Sequence, residues 1–189
     1  MHGKDLNSLI VRFENDKLPY TGRLEHYQKL IRYLVVAEDH RYYRHPGVDI
    51  IAIFRAIYKN LFFHKLEGAS TIEQQLVRVL TNDYRRNIQR KLKEMYLALH
   101  LHKYMDKDTI AAMYLDVAYY GTDYQNLKAI LEKYHTQLHK DMDDDICAEI
   151  VARLKYPEPH IMTEKRNLQI KRRKEYILRR YVEMFGGNE

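Results

Sequence analysis

Only 7 glycines and 4 prolines punctuate the 189 residues of this chain. A sandwich or barrel of short strands needs turn residues at regular, close intervals, so this scarcity disfavours an all-β fold and predicts a mainly helical, all-α one. The length suffices for one domain with a real core that needs no disulfide or metal staple. Cys147 is the single cysteine. It excludes an internal disulfide and a multi-cysteine zinc site and reads as core filler. Lys and Arg total 32 against 26 Asp and Glu, a net charge of +6. That surplus suits an anionic partner (nucleic acid, a phospholipid surface or a phosphorylated substrate) without choosing among them. No stretch approaches the roughly 18 apolar residues of a membrane span. The opening Met-His-Gly-Lys-Asp-Leu has no signal-peptide core, so the chain reads as soluble. Tyrosines number 17 with no tryptophan; their apolar rings and wet hydroxyls suit amphipathic surfaces, including membrane interfaces and sugar sites.

Residues 1–24 show little periodicity and read as a lead-in. From Glu25 to Glu38 the apolar positions Tyr27, Leu30, Ile31, Leu34 and Val35 recur at helical spacing. His45-Pro46-Gly47 stops that helix, and Asp49 is placed to cap a second one. This second helix runs into a greasy basic stretch around Ile57, Phe62 and Lys65, suited to lipid headgroups or to a buried helix end. Ser70-Thr71-Ile72-Glu73 has the form of a capping box opening a helix through Leu80. The next helix is predicted over residues 85–104. One of its faces holds Ile88, Leu92, Met95, Tyr96 and Leu99; the other holds Arg86, Arg90 and Glu94, with Lys93 beside them. A helix from Lys107 to Tyr120 is expected to end at Gly121. After a polar segment, Asp141, Asp143, Asp144 and Asp145 complement the dipole of a further helix and lack the glycine and ligand spacing of a calcium loop. A basic helix follows over residues 164–181. With no low-complexity linker or repeat, residues 25–185 read as a single domain.

Four segments concentrate chemistry-bearing residues. Glu38 and Asp39 stand at the end of an apolar helix, where a partly buried carboxylate is placed for proton abstraction; caps and ion pairs are the commoner use of such residues. Ser70, Thr71, Gln74 and Gln75 offer hydroxyls and amides at a helix start, for an anionic or hydroxyl-rich ligand or merely for a cap. Arg86, Arg90, Lys93 and Glu94, joined by Arg78, suit a phosphate or pyrophosphate, or form a salt-bridged solvent face. The fourth segment, Lys107 to Gly121, is by itself an amphipathic helix.

Together and in this order, the segments resemble the family 51 glycosyltransferases, the peptidoglycan polymerases that occur as monofunctional enzymes and as the transglycosylase half of bifunctional penicillin-binding proteins. The family's Glu-Asp-x-x-Phe-x-x-His-x-Gly is matched by Glu38, Asp39, Tyr42 in place of Phe, His45 and Gly47. Gly-x-Ser-Thr-Ile-Thr-Gln-Gln is matched by Gly68, Ser70, Thr71, Ile72, Gln74 and Gln75. Arg-Lys-x-x-Glu is matched by Arg90, Lys91 and Glu94. The Tyr-Leu-Asn motif is matched by Lys107, Ile110, Tyr114, Leu115 and Gly121, and a final double-arginine segment by Arg172, Arg173 and Leu178. The resemblance implies a lysozyme-like head with a smaller, membrane-facing jaw at about residues 48–67. It implies lipid II and the growing glycan chain as substrates, inverting glycosyl transfer with undecaprenyl pyrophosphate leaving, and no required cofactor, a divalent cation being left open. Glu38 would be the base for the acceptor hydroxyl and Glu94 would lie at the donor's reacting centre. Asp39, His45, Ser70, Thr71, Gln74, Gln75, Arg78, Arg86, Arg90 and Lys91 would bind substrate, the basic ones among them holding the pyrophosphate. The expected setting is the outer face of the cytoplasmic membrane, with the membrane surface and other cell-wall proteins as partners.

Glu73 stands where the family has Thr or Ser, Asp116 where it has Asn, and Arg78 where it has Lys. Glu73 would add negative charge beside the donor site or complete a capping box as its N3 residue, and Asp116 would pair with a base. These changes motivate a second reading, a catalytically impaired relative that binds lipid-linked precursors or cell-wall proteins. The family's customary transmembrane helix and transpeptidase domain are not expected in this chain. A nucleic-acid binder is disfavoured, because the carboxylates within the motifs would repel a phosphate backbone.

Overall fold

A computed structural model describes residues 20, 22–63 and 68–186. The predicted lead-in therefore lies mostly outside the described residues, as do residues 64–67 at the end of the predicted jaw. The described residues form eight α-helices and no strand, in keeping with the all-α expectation: α1 Leu24–Glu38, α2 Ile50–Phe63, α3 Ile72–Thr81, α4 Ile88–Leu101, α5 Lys107–Val117, α6 Leu127–Lys133, α7 Asp144–Lys155 and α8 Glu164–Phe185.

Capping chemistry sets most of these boundaries. Every helix from α2 to α8 begins after an Asp, Asn or Thr whose side-chain oxygen accepts a first-turn N–H, for example Asn87 from Arg90 at 2.8 Å, Asp106 from Thr109 at 2.9 Å and Asp49 from Ala52 at 3.0 Å. Each such cap stabilises its helix by about 1 kcal/mol. Asn87 explains why α4 starts at Ile88 and not at the predicted residue 85. Asp143 accepts from both Asp145 and Ile146, so the acidic run is a cap, as its charge pattern indicated. α5 ends at Val117, with Ala118 already extended, and Gly121 is not its terminal glycine. The need for glycine at 121 is spatial, since a Cβ there would lie 2.5 Å from the Glu158 carbonyl oxygen. The segment read only as polar contains α6, whose Leu127, Ile130 and Leu131 are buried.

α1 runs through the core, burying Tyr27, Leu30, Ile31, Leu34 and Val35 as its spacing predicts, together with Tyr33 and Val36. It packs on α5, α7 and α8, while α3 packs on α4 and α5. Tyr33 and Tyr181 stack at 4.1 Å to join α1 to α8. Two helices depart from this pattern. α2 buries only Ala52 and exposes Phe54 and Leu61 at 68% each. α4 is inverted relative to its apolar periodicity. It buries Glu94, Leu97, Ala98 and Leu101, whereas Ile88, Leu92, Tyr96 and Leu99 face outward. No helix among the described residues is long and apolar enough to cross a membrane.

Candidate active site

The first two motifs are fastened together through buried polar contacts. Asp39, just past the end of α1, accepts from His45 Nε2 at 3.0 Å and from the backbone N–H of Ile72 at 3.3 Å, which satisfies an otherwise orphaned donor at the start of α3. The Thr71 hydroxyl donates to the Gly47 carbonyl at 2.6 Å. Gly47 N–H donates to His45 Nδ1, which leaves Nε2 as the nitrogen that donates to Asp39. Gly47 itself has φ +106, and a Cβ there would meet the Ala98 carbonyl oxygen at 2.4 Å. The loop after α1 is thus pressed onto α4 and clasped to α3. Asp39, His45 and Thr71 are all buried and act on the frame of the site.

Glu38 ends α1 with its side chain still 16% exposed. Arg173 of α8 donates to Oε1 at 3.1 Å and also to the Ala37 carbonyl, and Gln75 of α3 donates to Oε2 at 3.3 Å. Gln75 is held in turn by the Tyr114 hydroxyl, which donates to its Oε1 at 2.6 Å. Residues of the first, second, fourth and fifth motifs therefore meet at this one carboxylate. Arg173 and Tyr114 were named only as motif matches. Their contacts lie across long sequence separations that no local signal encodes.

Glu94 is 3% exposed and surrounded by cations. Arg78 of α3 donates from Nε at 3.0 Å and from Nη2 at 3.1 Å, Lys91 donates at 2.7 Å, and Arg90 completes the set. Burial pushes the Glu94 carboxyl up, but the bonds from Arg78 and Lys91 outweigh it and hold the group below the usual carboxylate range. Lys91 also donates to Ser70 Oγ at 3.0 Å and to Gln74 Oε1. Its ammonium is pushed down, first by burial and then by the Arg78 and Arg90 charges, against the pull of Glu94. Three cations around one anion leave a positive excess beside the hydroxyl and amide groups of Ser70 and Gln74. The Glu38 and Glu94 clusters are neighbours, because Gln75 and Arg78 are three residues apart on one face of α3. Glu38 and Ser70 line a common shallow recess.

The remaining predicted residues fall elsewhere. Arg86 precedes α4, is exposed, and is not among the partners of Glu94, so the helical stripe through positions 86, 90 and 94 is not formed. Glu73 is the N2 residue of α3, not N3, because Thr71 is the N-cap. Its carboxylate is 0% exposed and accepts from Lys107 and from His102 Nε2 at 3.2 Å, so it presents no charge to a ligand. Lys107 also lies 4.2 Å from the Tyr42 ring, whose hydroxyl donates to the Lys107 carbonyl at 2.7 Å. Two departures from the family pattern, Tyr42 and Glu73, thus share one lysine. Among the described residues Asp116 pairs with no base: it accepts from the Tyr20 and Tyr27 hydroxyls at 2.8 Å each, and burial pushes its carboxyl up despite them. Asp39, His45 and Asp49 bring ligand-type atoms within 4.8 Å of one another. Those atoms are engaged with Ile72, Gly47, Ala52 and Arg41.

The model of the transglycosylase family matches residues 7–182. The chain is 32% identical over 160 residues to penicillin-binding protein 1A of Rickettsia felis, covering 82% of this chain and 20% of that protein. It is 31% identical over 121 residues to a monofunctional glycosyltransferase of Staphylococcus saprophyticus, covering 64% of this chain and 44% of the relative. Penicillin-binding protein 1A of Clostridium perfringens is 38% identical over 121 residues, or 60% of this chain and 18% of that protein. The chain thus spans about a fifth of the length of the penicillin-binding proteins it matches and under half of the monofunctional relative. With the family model covering nearly the whole chain and its motifs converging on two neighbouring carboxylates, the chain belongs to the transglycosylase family, the family 51 glycosyltransferases.

Proposed function

We propose that this chain is a peptidoglycan glycosyltransferase that polymerises lipid II at a membrane surface. The observation that carries the proposal is the excess of cations around Glu94, in reach of Ser70 and Gln74 and one helical turn from the contact to Glu38. A pyrophosphate leaving as an anion develops charge that guanidinium and ammonium groups stabilise as it forms. Arg78, Arg90 and Lys91 are the groups for that task. Glu94, paired three ways and held ionised, keeps them in position and stands at the donor's reacting centre. Glu38 takes the proton from the acceptor 4-hydroxyl. The acceptor oxygen bonds to the donor anomeric carbon from one face as the bond to the pyrophosphate oxygen breaks on the other, which inverts the centre. Two carboxylates alone would suit glycoside hydrolysis equally well, and the cation cluster favours a pyrophosphate leaving group over an alkoxide. The scheme draws on no cofactor.

The exposed apolar face of α2 supports contact with the bilayer that carries the substrate; the outer face of the cytoplasmic membrane is proposed from the family resemblance. Support for an enzyme over a silent binding relative comes from the two substitutions that motivated that alternative, since Glu73 is sealed from solvent and Asp116 is occupied by tyrosines. Incubation with lipid II in detergent should yield glycan polymer. Glu38→Gln should reduce the rate by about 10³, the scale of a lost general base. Equal product from both proteins would overturn the assignment of the base, and lipid II binding without turnover by the unaltered chain would favour the silent relative.

A further inference from the structure

We infer that α4 is a second lipid-contacting helix, so that the surface docking on the bilayer reaches from α2 across the outer face of α4. On α4, Ile88, Leu92, Tyr96 and Leu99 recur at spacings of four, four and three and form one stripe. The stripe lies opposite the buried Glu94, Leu97, Ala98 and Leu101. Ile88 is 76% and Leu92 60% exposed, so the helix turns its apolar face away from the core and its carboxylate toward it. Water is a poor solvent for such a face, and a single apolar stripe of this kind suits a helix lying in a membrane interface.

Two observations select a lipid surface as the occupant. The first is charge. α2 has no acidic residue and carries Arg55 and Lys59; the only acid of α4 is Glu94, which is buried and bonded to three cations. Neither helix therefore presents a carboxylate to an anionic headgroup, and Lys93 borders the α4 stripe. The second is continuity. Gly47 rests against the backbone of Ala98 and Leu99, and α2 begins only three residues further along the chain, its first residues Ile50 and Ile51 exposed. The inference deepens the proposed function and rests on it in one respect, that a lipid-linked substrate has to be met at a bilayer.

The test places an environment-sensitive fluorophore at Leu92→Cys, and in a second protein at Leu61→Cys on α2. Cys147 is buried and its thiol is pushed up to about 12 by burial, so the label goes to the introduced cysteine. With vesicles of phosphatidylglycerol and phosphatidylcholine, the label at position 92 should shift to the blue and be quenched by nitroxide-bearing lipids, as at position 61. The double variant Ile88→Ser with Leu92→Ser should partition into these vesicles about a hundredfold less, the loss expected when two aliphatic side chains no longer leave water. Its polymer yield in detergent should be unchanged. An unchanged spectrum at position 92 while position 61 shifts would overturn the inference. So would a blue shift at position 92 that follows protein concentration without vesicles, which would assign the stripe to a second copy of the chain. Absence of polymer from the unaltered chain in detergent, with position 92 buried in lipid, would sink the glycosyltransferase reading and leave the lipid surface standing.

Discussion

The surroundings of Glu94 and Glu38 differ in kind although both acids are held by α3. Glu94 receives four donor contacts from three cations and has almost no contact with solvent. Glu38 receives one guanidinium and one neutral amide and keeps an open edge. A carboxylate clamped by three cations is a poor proton acceptor, and its value lies in fixing the positive groups that meet an anionic ligand. One held on two sides and open on a third can take a proton from an incoming hydroxyl. Two chemically identical side chains are thus suited to different work by the donors supplied to each.

Exchanging the carboxylates for amides tests that contrast most severely. Glu94→Gln should cost about 3 kcal/mol of stability, because three partly buried cations lose their buried counter-charge, and should also abolish polymer formation. Glu38→Gln should leave the denaturation midpoint nearly unchanged while slowing turnover by about 10³; comparable unfolding of both variants by denaturant would erase the distinction. A smaller effect is expected at Glu73. Glu73→Thr restores the family's residue, yet it should destabilise by about 2 kcal/mol by leaving Lys107 without its anion, with KM for lipid II unaltered. A changed KM would move Glu73 into the donor site. Tyr114→Phe removes only the hydroxyl that holds Gln75. It should cost about 1 kcal/mol and lower kcat modestly without moving KM.

The smallest effect concerns Asp116 and depends on pH. Its folded-state carboxyl is raised, so the group favours folding at low pH and opposes it as pH rises through the raised value. Asp116→Asn should therefore increase the thermal midpoint at neutral pH and have no effect below about 3.8, the unperturbed value. Glu94 and Glu73 have the opposite sign. Both are lowered, against burial, by their cationic and histidine partners, so their contribution is present above 4.5 and is lost as pH falls below it. Acid titration of the unaltered protein, followed by circular dichroism, should show unfolding in that lower window.

Helix existence was legible in the sequence because apolar spacing and capping residues act locally. α1, α3 and α7 follow from Leu30, Leu34, Thr71 and Asp143 and little else. The motif residues also pointed to the two carboxylates. The facing of α4 was hidden. Its apolar stripe has the spacing common to core-facing helices, and its charged stripe suits a ligand site or a solvent face equally. What reversed them is the set of donors that Arg78, Arg90 and Lys91 bring to Glu94, one of which comes from another helix. α6 was missed because its buried residues sit in a short run among polar neighbours. The partners of Glu73 and Asp116 were out of reach for a related reason: Lys107 and Tyr27 lie 34 and 89 positions away.

Gly47 illustrates how a residue with no side chain can govern the geometry of a site it does not line. An added methyl would have to displace the main chain at Ala98, one turn beyond Glu94, and no flexible side-chain tip is there to yield. The damage would spread through α4 to the cation cluster while α1, α7 and α8 kept their packing. A heat-sensitive allele at this position would give a protein that accumulates and looks folded by spectroscopy, yet lacks the polymerase activity proposed for it.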